Sequence, residues 1–133
     1  GVGVQRVGRS SRLRLRSLVK PGDVVLVRFP FADLAATKKR PALVLAQTVR
    51  SPRNRLVTLA MITSQIESLR LEGDVLLDEW KATGLLHPSL LRMAKVATVD
   101  ADLVDKVIGK LAVRDRTAVR EAFRRVFAGW LGS

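Results

Sequence analysis

The sequence contains no cysteine. That excludes disulfides, thiolate nucleophiles, Cys-ligated zinc and iron–sulfur clusters together. There is one histidine, His87, and no tyrosine. A multi-His metal site and any mechanism needing two imidazoles are excluded with them. No metal and no cofactor are expected. No apolar run reaches the ~18 residues of a membrane span, so no membrane partner is expected either. The basic N-terminus is not followed by an apolar h-region, which argues against a secretory signal. Its Arg- and Ser-bearing, acid-free composition leaves a transit peptide open; otherwise the chain reads as cytoplasmic. There is neither a GxGxxG nor a Walker pattern. The aromatics are Phe29, Phe31, Phe123, Phe127, Trp80 and Trp130, too few for an RRM-type stacking platform. Chemistry must come from Arg, Lys, Ser, Thr and the carboxylates.

Acid is missing where base is dense. Residues 1–20 carry Arg6, Arg9, Arg12, Arg14, Arg16 and Lys20 and no acid. Between Asp33 and Glu67 lie six bases, Lys38, Lys39, Arg40, Arg50, Arg53 and Arg55, again with no acid. Over 133 residues, 24 Lys and Arg face 12 Asp and Glu, a formal net charge of +12. That balance fits a polyanionic partner, nucleic acid or an acidic protein. With 47% hydrophobic residues the chain can build a core, whereas wholesale disorder needs low hydrophobicity as well as high charge. Its length is that of one domain. Residues 1–19 read as a basic, disordered arm and residues 20–133 as the domain.

Pro21-Gly22 is a turn dipeptide that opens the ordered part. Asp23 to Phe29 is β-branched and partly alternating, and reads as a strand ended by Pro30. Residues 31–39 form a loop. Ala42 to Ala46 is a continuous apolar run, suited to a strand buried on both faces. Residues 48–55, polar and basic, read as an exposed loop. Leu56 to Ile62, Gly73 to Asp78, Leu90 to Val99 and Lys106 to Leu111 are further strands, with a turn from Lys81 to Ser89. Asp100 is placed to cap a short helical turn over Leu103 and Val104. Val119, Ala122, Phe123, Val126, Phe127 and Trp130 recur at helical spacing, one face of an amphipathic helix. Short strands followed by one terminal helix predict a mainly β, α+β fold, a small half-open β-barrel closed by the C-terminal helix.

Several residues are candidates for chemistry. If the loops at 31–39 and 48–55 are neighbours, their bases form one phosphate-binding rim; the competing reading is a solvated basic face. Arg40 stands out because Pro41 restricts it to extended backbone. Its guanidinium then projects from a fixed place at a strand mouth. A planar, permanently charged fork suits phosphate oxygens, above all those gaining charge in a transition state. The competing reading is an ordinary strand-edge arginine. Thr63, Ser64 and Gln65 gather two hydroxyls and an amide at a strand exit, able to bind a phosphate or to cap the turn. His87 precedes Pro88 and reads as a turn histidine without a partner. Asp100, Asp102 and Asp105 read as capping and surface acids. Phe31 and Trp80 either stack on bases or pack in a core or a dimer.

Six segments in order resemble the MazF/PemK toxins of type II toxin–antitoxin systems, the mRNA interferases. Pro21 to Val27 resembles their opening strand, and Lys39 to Leu45 their Arg-Pro strand. Ile62 to Ile66 resembles the third-strand exit, and Gly84 to Ser89 with Ala97 to Asp100 the later turn and strand. Ile108 to Leu111 before a helix resembles their ending. The resemblance implies an SH3-like barrel, a homodimer, and an endoribonuclease that cuts single-stranded RNA at short sequences without a metal. The 2′-hydroxyl attacks the adjacent phosphate and leaves 2′,3′-cyclic phosphate and 5′-hydroxyl ends. It further implies RNA and DNA binding and inhibition of translation and growth. By the same resemblance Arg40 and Thr63 are catalytic. Arg40 stabilises the developing phosphorane charge and protonates the leaving oxygen; Thr63 holds a phosphate oxygen. Lys38, Lys39, Ser64, Gln65, Arg92 and Lys95 would bind RNA. An acidic cognate antitoxin, folding on binding, would occupy the loops at 31–40 and 48–55. The pattern departs from the family's at two places. Ala35-Ala36-Thr37-Lys38-Lys39 replaces a Gly-rich, Glu-Gln loop, and Ala94 stands where some members carry an acid two residues after Arg92. A non-catalytic basic module of the same fold, binding RNA or the antitoxin, and a basic protein-interaction factor are the alternative readings.

Overall fold

The computed structural model describes residues 19–29 and 38–132. The expectations placed on the arm at 1–18, on the loop at 30–37 with Phe31 and Asp33, and on the Phe29 side chain lie outside the described residues.

Six strands are formed: β1 (Asp23–Phe29), β2 (Lys38–Ser51), β3 (Asn54–Thr63), β4 (Asp74–Leu76), β5 (Leu90–Asp100) and β6 (Val104–Lys110). Helix α1 (Val113–Val126) follows, then a short α2 (Ala128–Leu131). All strands pair antiparallel in the order β4-β5-β3-β2-β1-β6. Among the described residues no ladder joins β4 to β6, so the sheet is open.

Side chains alternate across a strand with period two, and here both faces are covered. On one face Val24, Leu43, Ala60, Ile62, Leu91 and Met93 pack beneath Val119 and Ala122 of α1. On the other, Val25, Val27, Ala42, Val44, Val57 and Leu59 form a second cluster. A strand buried on both sides has no polar face to show. This is why much of β1 and the 42–45 stretch of β2 read as apolar runs. Val19, the last residue assigned to the arm, is buried in the second cluster.

Three expectations are revised. The apolar run at Ala42 is the middle of a 14-residue strand, and the expected loop at 48–55 is a hairpin. Thr48 pairs with Leu56, Val49 with Arg55 and Ser51 with Asn54, leaving Pro52-Arg53 as the turn. The backbone ladder holds these polar residues in strand form although their side chains are exposed. Arg50, Arg53 and Arg55 therefore sit at one end of β2 and Lys38, Lys39 and Arg40 at the other, a contour of about 40 Å apart. These two groups of bases do not form one rim. The helical face is likewise only partly used. Val119 and Ala122 are buried, but Phe123 is 38% and Trp130 92% exposed, because the apolar stripe outruns the sheet face beneath it. The capped turn lies at Ala101–Leu103, with the Asp100 side chain accepting from the Asp102 N–H at 3.1 Å, and Val104 already begins β6.

Asp115, buried near the start of α1, accepts from the Asp78 and Glu79 N–H groups at 3.1 and 3.0 Å. It ties the helix to the turn after β4. Among the described residues no helix is long and apolar enough to cross a membrane.

Candidate functional site

Four stretches distant in sequence meet at one end of the sheet. β2 begins there with Lys38, Lys39 and Arg40, in register with Phe29, Arg28 and Val27 of β1. β3 ends there at Thr63, opposite Leu90 of β5. The 84–89 loop and the β6 residues Lys106 and Ile108 complete the walls. Between them lies a cleft of about 640 Å³. Lys38, Lys39, Arg40, Thr63, Ser64 and Gln65, all proposed from the sequence, line it. His87, Ser89 and Lys106 line it as well.

Arg40 is exposed and makes no ion pair among the described residues. Its backbone is held by the β1 ladder on one side and by Pro41 on the other. Lys39 is engaged: its Nζ lies 3.0 Å from Asp105 Oδ2. The hydrogen bond from Lys39 holds the Asp105 carboxyl below the usual carboxylate range, and the charges of Lys39, Arg28 and Lys106 add to it. Thr63 Oγ1 accepts from the Gln65 N–H at 3.1 Å, which orients the hydroxyl and leaves its proton to donate. Ser64 and Gln65 are exposed beside it.

The 84–89 loop is fixed against β6 by two glycines. A Cβ on Gly84 would lie 2.2 Å from the Ile108 carbonyl oxygen, and one on Gly109 2.2 Å from that of Thr83. Gly84 also sits at φ +85°, in the left-handed region. The Ser89 hydroxyl then donates to the His87 carbonyl at 2.7 Å, and Leu77 N–H donates to the Ser89 carbonyl at 3.0 Å. His87 thus stands on an anchored loop at the cleft, with its side chain exposed. The sequence reading left it as an unpartnered turn residue. Its signal was the Gly84-to-Ser89 segment itself, whose placement depends on the loop returning to the end of β3.

Two proposed RNA-binding residues are not at the cleft. Arg92 is buried and spent on structure. Its Nη2 donates to the Ser68 hydroxyl and to the Leu69 carbonyl at 2.8 Å, and it faces Asp74 Oδ2 at 3.8 Å. It clamps the 64–72 segment onto β5. Lys95 lies in a bulge, where the β3 register jumps from Val96 opposite Ala60 to Arg92 opposite Met61. Ala94 is exposed in the same bulge. Trp80 packs against the first cluster with the Lys81 ammonium 5.3 Å from its ring centroid, so it serves the core.

The cleft therefore presents four cations, an oriented hydroxyl and one imidazole, and no carboxylate among its described residues. Such a set is chemically able to bind a phosphodiester and to stabilise added negative charge on it. Among the described residues no group of three or more His, Cys, Asp or Glu could hold a metal ion.

The family model for PemK-like, MazF-like toxins of type II toxin–antitoxin systems matches residues 20–127. Among solved structures, the Mycobacterium tuberculosis toxin MazF-mt6 is 26% identical with a TM-score of 0.61, over 80% of this chain and 96% of that one. An Mtb toxin is 30% identical with a TM-score of 0.54, over 66% of this chain and 92% of that one. An endoribonuclease from a mycobacterial species, in complex with its cognate antitoxin, has a TM-score of 0.62 over 83% of this chain and 95% of that one. At 11% identity, that likeness is one of fold. No curated protein matches the sequence.

Proposed function

The chain belongs to the family of PemK-like, MazF-like toxins of type II toxin–antitoxin systems, and on that premise we propose that it is an endoribonuclease that cuts single-stranded RNA in the cleft at the start of β2. The observation that carries this is the meeting of Arg40, Thr63 and His87 on one basic cleft from three separate parts of the chain. The reaction is a transesterification needing no metal. The 2′-hydroxyl gives its proton to His87 and attacks the adjacent phosphorus. The P–O5′ bond breaks, and the leaving 5′-oxygen takes a proton from a rim lysine or from solvent. The products are a 2′,3′-cyclic phosphate and a 5′-hydroxyl. Arg40 stays charged throughout and neutralises the oxygen on which charge develops. Thr63 donates to the other non-bridging oxygen, and Lys38 and Lys106 hold the flanking phosphates. His87 fills the role that an acid at Ala94 would fill, since an imidazole nitrogen can take up a proton and return it.

The same reading makes the chain a cytoplasmic inhibitor of translation and growth, a homodimer, and the partner of an acidic antitoxin. It takes the fold as a half-open SH3-like barrel. In support, β5 and β6 are joined through the turn at Ala101–Leu103, so the path β6-β1-β2-β3-β5 returns on itself around the second cluster. A non-catalytic RNA-binding module of the same fold is the second reading, favoured by Ala94 and by the structural use of Arg92. Cleavage of a fluorescent single-stranded RNA by the wild type and by Arg40→Ala decides between them. Cutting by the wild type and its loss in a folded Arg40→Ala protein support the enzyme. RNA that both proteins bind and neither cuts supports the module.

A further inference from the structure

Among the described residues, Lys39 is the one cation of the cleft held in an ion pair; Lys38, Arg40 and Lys106 are in none. Its partner, Asp105, does not line the cleft. Asp105 belongs to β6, at the edge of the sheet, and meets Lys39 of β2 across β1, which lies between the two strands. The β1–β6 ladder shows how. Leu26 pairs with Lys106 and Val27 with Val104, so Asp105 is passed over between them. It is the extra residue of a bulge. A bulge leaves one residue outside the ladder and re-aims its side chain. Lys39 stands opposite Arg28 on β1. The charges of Lys39, Arg28 and Lys106 converge on the one carboxylate. The pair lies open to water, with side chains 51% and 31% exposed, whereas those of Arg92 and Asp74 are 10% and 3% exposed. An exposed pair is weak and breaks at little cost. A buried pair leaves a stranded charge when it is broken. Lys39 can therefore exchange its partner, and Arg92 cannot.

We propose that Asp105 is an internal substitute for an RNA phosphate: it occupies Lys39 in the free protein and so sets how tightly the cleft holds RNA. The inference rests on the reading that RNA lies in this cleft. To an ammonium, a carboxylate and a phosphodiester present the same ligand, an anionic oxygen at hydrogen-bond distance. RNA reaches Lys39 only by displacing Asp105. One ion pair is then exchanged for another, and no counterion is released at that position. Lys38, Arg40 and Lys106 meet no such competitor. Displacement does not strand the carboxylate, because Arg28 and Lys106 remain beside it. The bulge is what makes the arrangement possible, since a regular ladder would leave Asp105 paired with β1. Weaker holding at one phosphate serves turnover. The cut strands carry the same phosphates as the substrate, and their release can limit the rate. Asp105 touches no reacting atom and acts through Lys39; it is a positioning residue.

The test measures binding, so it does not depend on cutting. It uses the full chain and a labelled single-stranded RNA carrying 2′-O-methyl groups throughout, which has no attacking hydroxyl. Fluorescence anisotropy gives the affinity across a series of salt concentrations. Asp105→Asn should bind this RNA about three- to tenfold more tightly than the wild type at low salt. Its logarithmic salt slope should steepen by about 0.7, since Lys39 then releases a counterion of its own. Asp105→Ala, measured in parallel, should match it, which shows that the new amide is not the cause. Removing any acid favours a polyanion, and two controls separate that effect from the proposal. Glu121→Gln, exposed on α1 and outside the cleft, should change the affinity by about twofold at most. In a Lys39→Gln background, the gain from Asp105→Asn should shrink to the size of that control. Unchanged affinity and slope in both Asp105 variants, or an equal gain with and without Lys39, overturns the proposal and leaves RNA in the cleft. RNA binding that Lys38→Gln/Lys106→Gln does not weaken removes RNA from the cleft and overturns both readings.

Discussion

Arg40 and Arg92 are both strand arginines, and their surroundings give them opposite uses. Arg40 is exposed and unpaired at a strand mouth; Arg92 is buried against Asp74, Ser68 and Leu69. Arg40→Ala is expected to lower cleavage by about two to three orders of magnitude, the scale for removing one transition-state donor, with an unchanged melting temperature. Arg92→Ala leaves a buried carboxylate unpaired. It is expected to cost on the order of 3 kcal/mol, read by denaturant unfolding, while cleavage per folded molecule persists. His87→Ala is expected to lower cleavage by about two orders of magnitude, the scale for a lost general base, in a protein that stays folded, and a rate equal to wild type would remove His87 from the mechanism. Asp105 supplies a sign of its own. Its carboxyl is held below the usual carboxylate range, first by the hydrogen bond from Lys39. The folded state therefore binds fewer protons there than the unfolded chain, and the pair stabilises the fold at neutral pH. That contribution fades as pH falls below the ordinary carboxylate range. Asp105→Asn should lower stability at neutral pH and shrink its loss on acidification, read by denaturant unfolding across pH. At this scale the sequence displayed Arg40 and Thr63, because Pro41 and a strand exit are local signals. It hid Arg92, whose partners lie 18 to 24 positions away, and it hid His87, whose place at the cleft depends on where a loop returns.

The hairpin of β2 and β3 and the crossing of the 84–89 loop over β6 determine what the cleft contains. Sequence composition made 48–55 a loop, since Ser51, Pro52 and Asn54 favour turns. The ladder overrode it up to Pro52-Arg53, because Gln47, Thr48 and Val49 face Val57, Leu56 and Arg55 in register. Strand existence was thus legible from the apolar runs at 24–27 and 42–45, and strand ends were not, since exposed ladder residues carry no hydrophobic signal. The helix was legible for the same reason, as a period of 3.6, but its exposed end was not. The loop crossing depends on Gly84 and Gly109, where an added Cβ would lie 2.2 Å from a backbone carbonyl oxygen. Gly109→Ala must push the backbone of Thr83 away. It is expected to destabilise the protein by about 1–3 kcal/mol and to lower cleavage further by displacing His87. Thermal melts and cleavage of the same preparation check both parts.

Across the whole molecule, charge and fold are divided between two faces and two ends. The +12 net charge reads as one property in the sequence, yet among the described residues the bases gather at a cleft, a hairpin tip and a helical stripe. At the cleft, Lys38, Lys39, Arg40 and Lys106 are the cations that can meet phosphates. RNA binding should therefore weaken with salt at a logarithmic slope of roughly −2 to −3, about 0.7 per phosphate neutralised on a single strand. A shallow slope would place RNA elsewhere. Light scattering at micromolar concentration should give the mass of a homodimer. The most direct test of the central claim is to incubate the purified chain with single-stranded RNA in EDTA and determine the product ends by mass. Cyclic-phosphate and 5′-hydroxyl ends, absent with Arg40→Ala, are the predicted result. Intact RNA from a folded preparation, or 5′-phosphate ends, would contradict it.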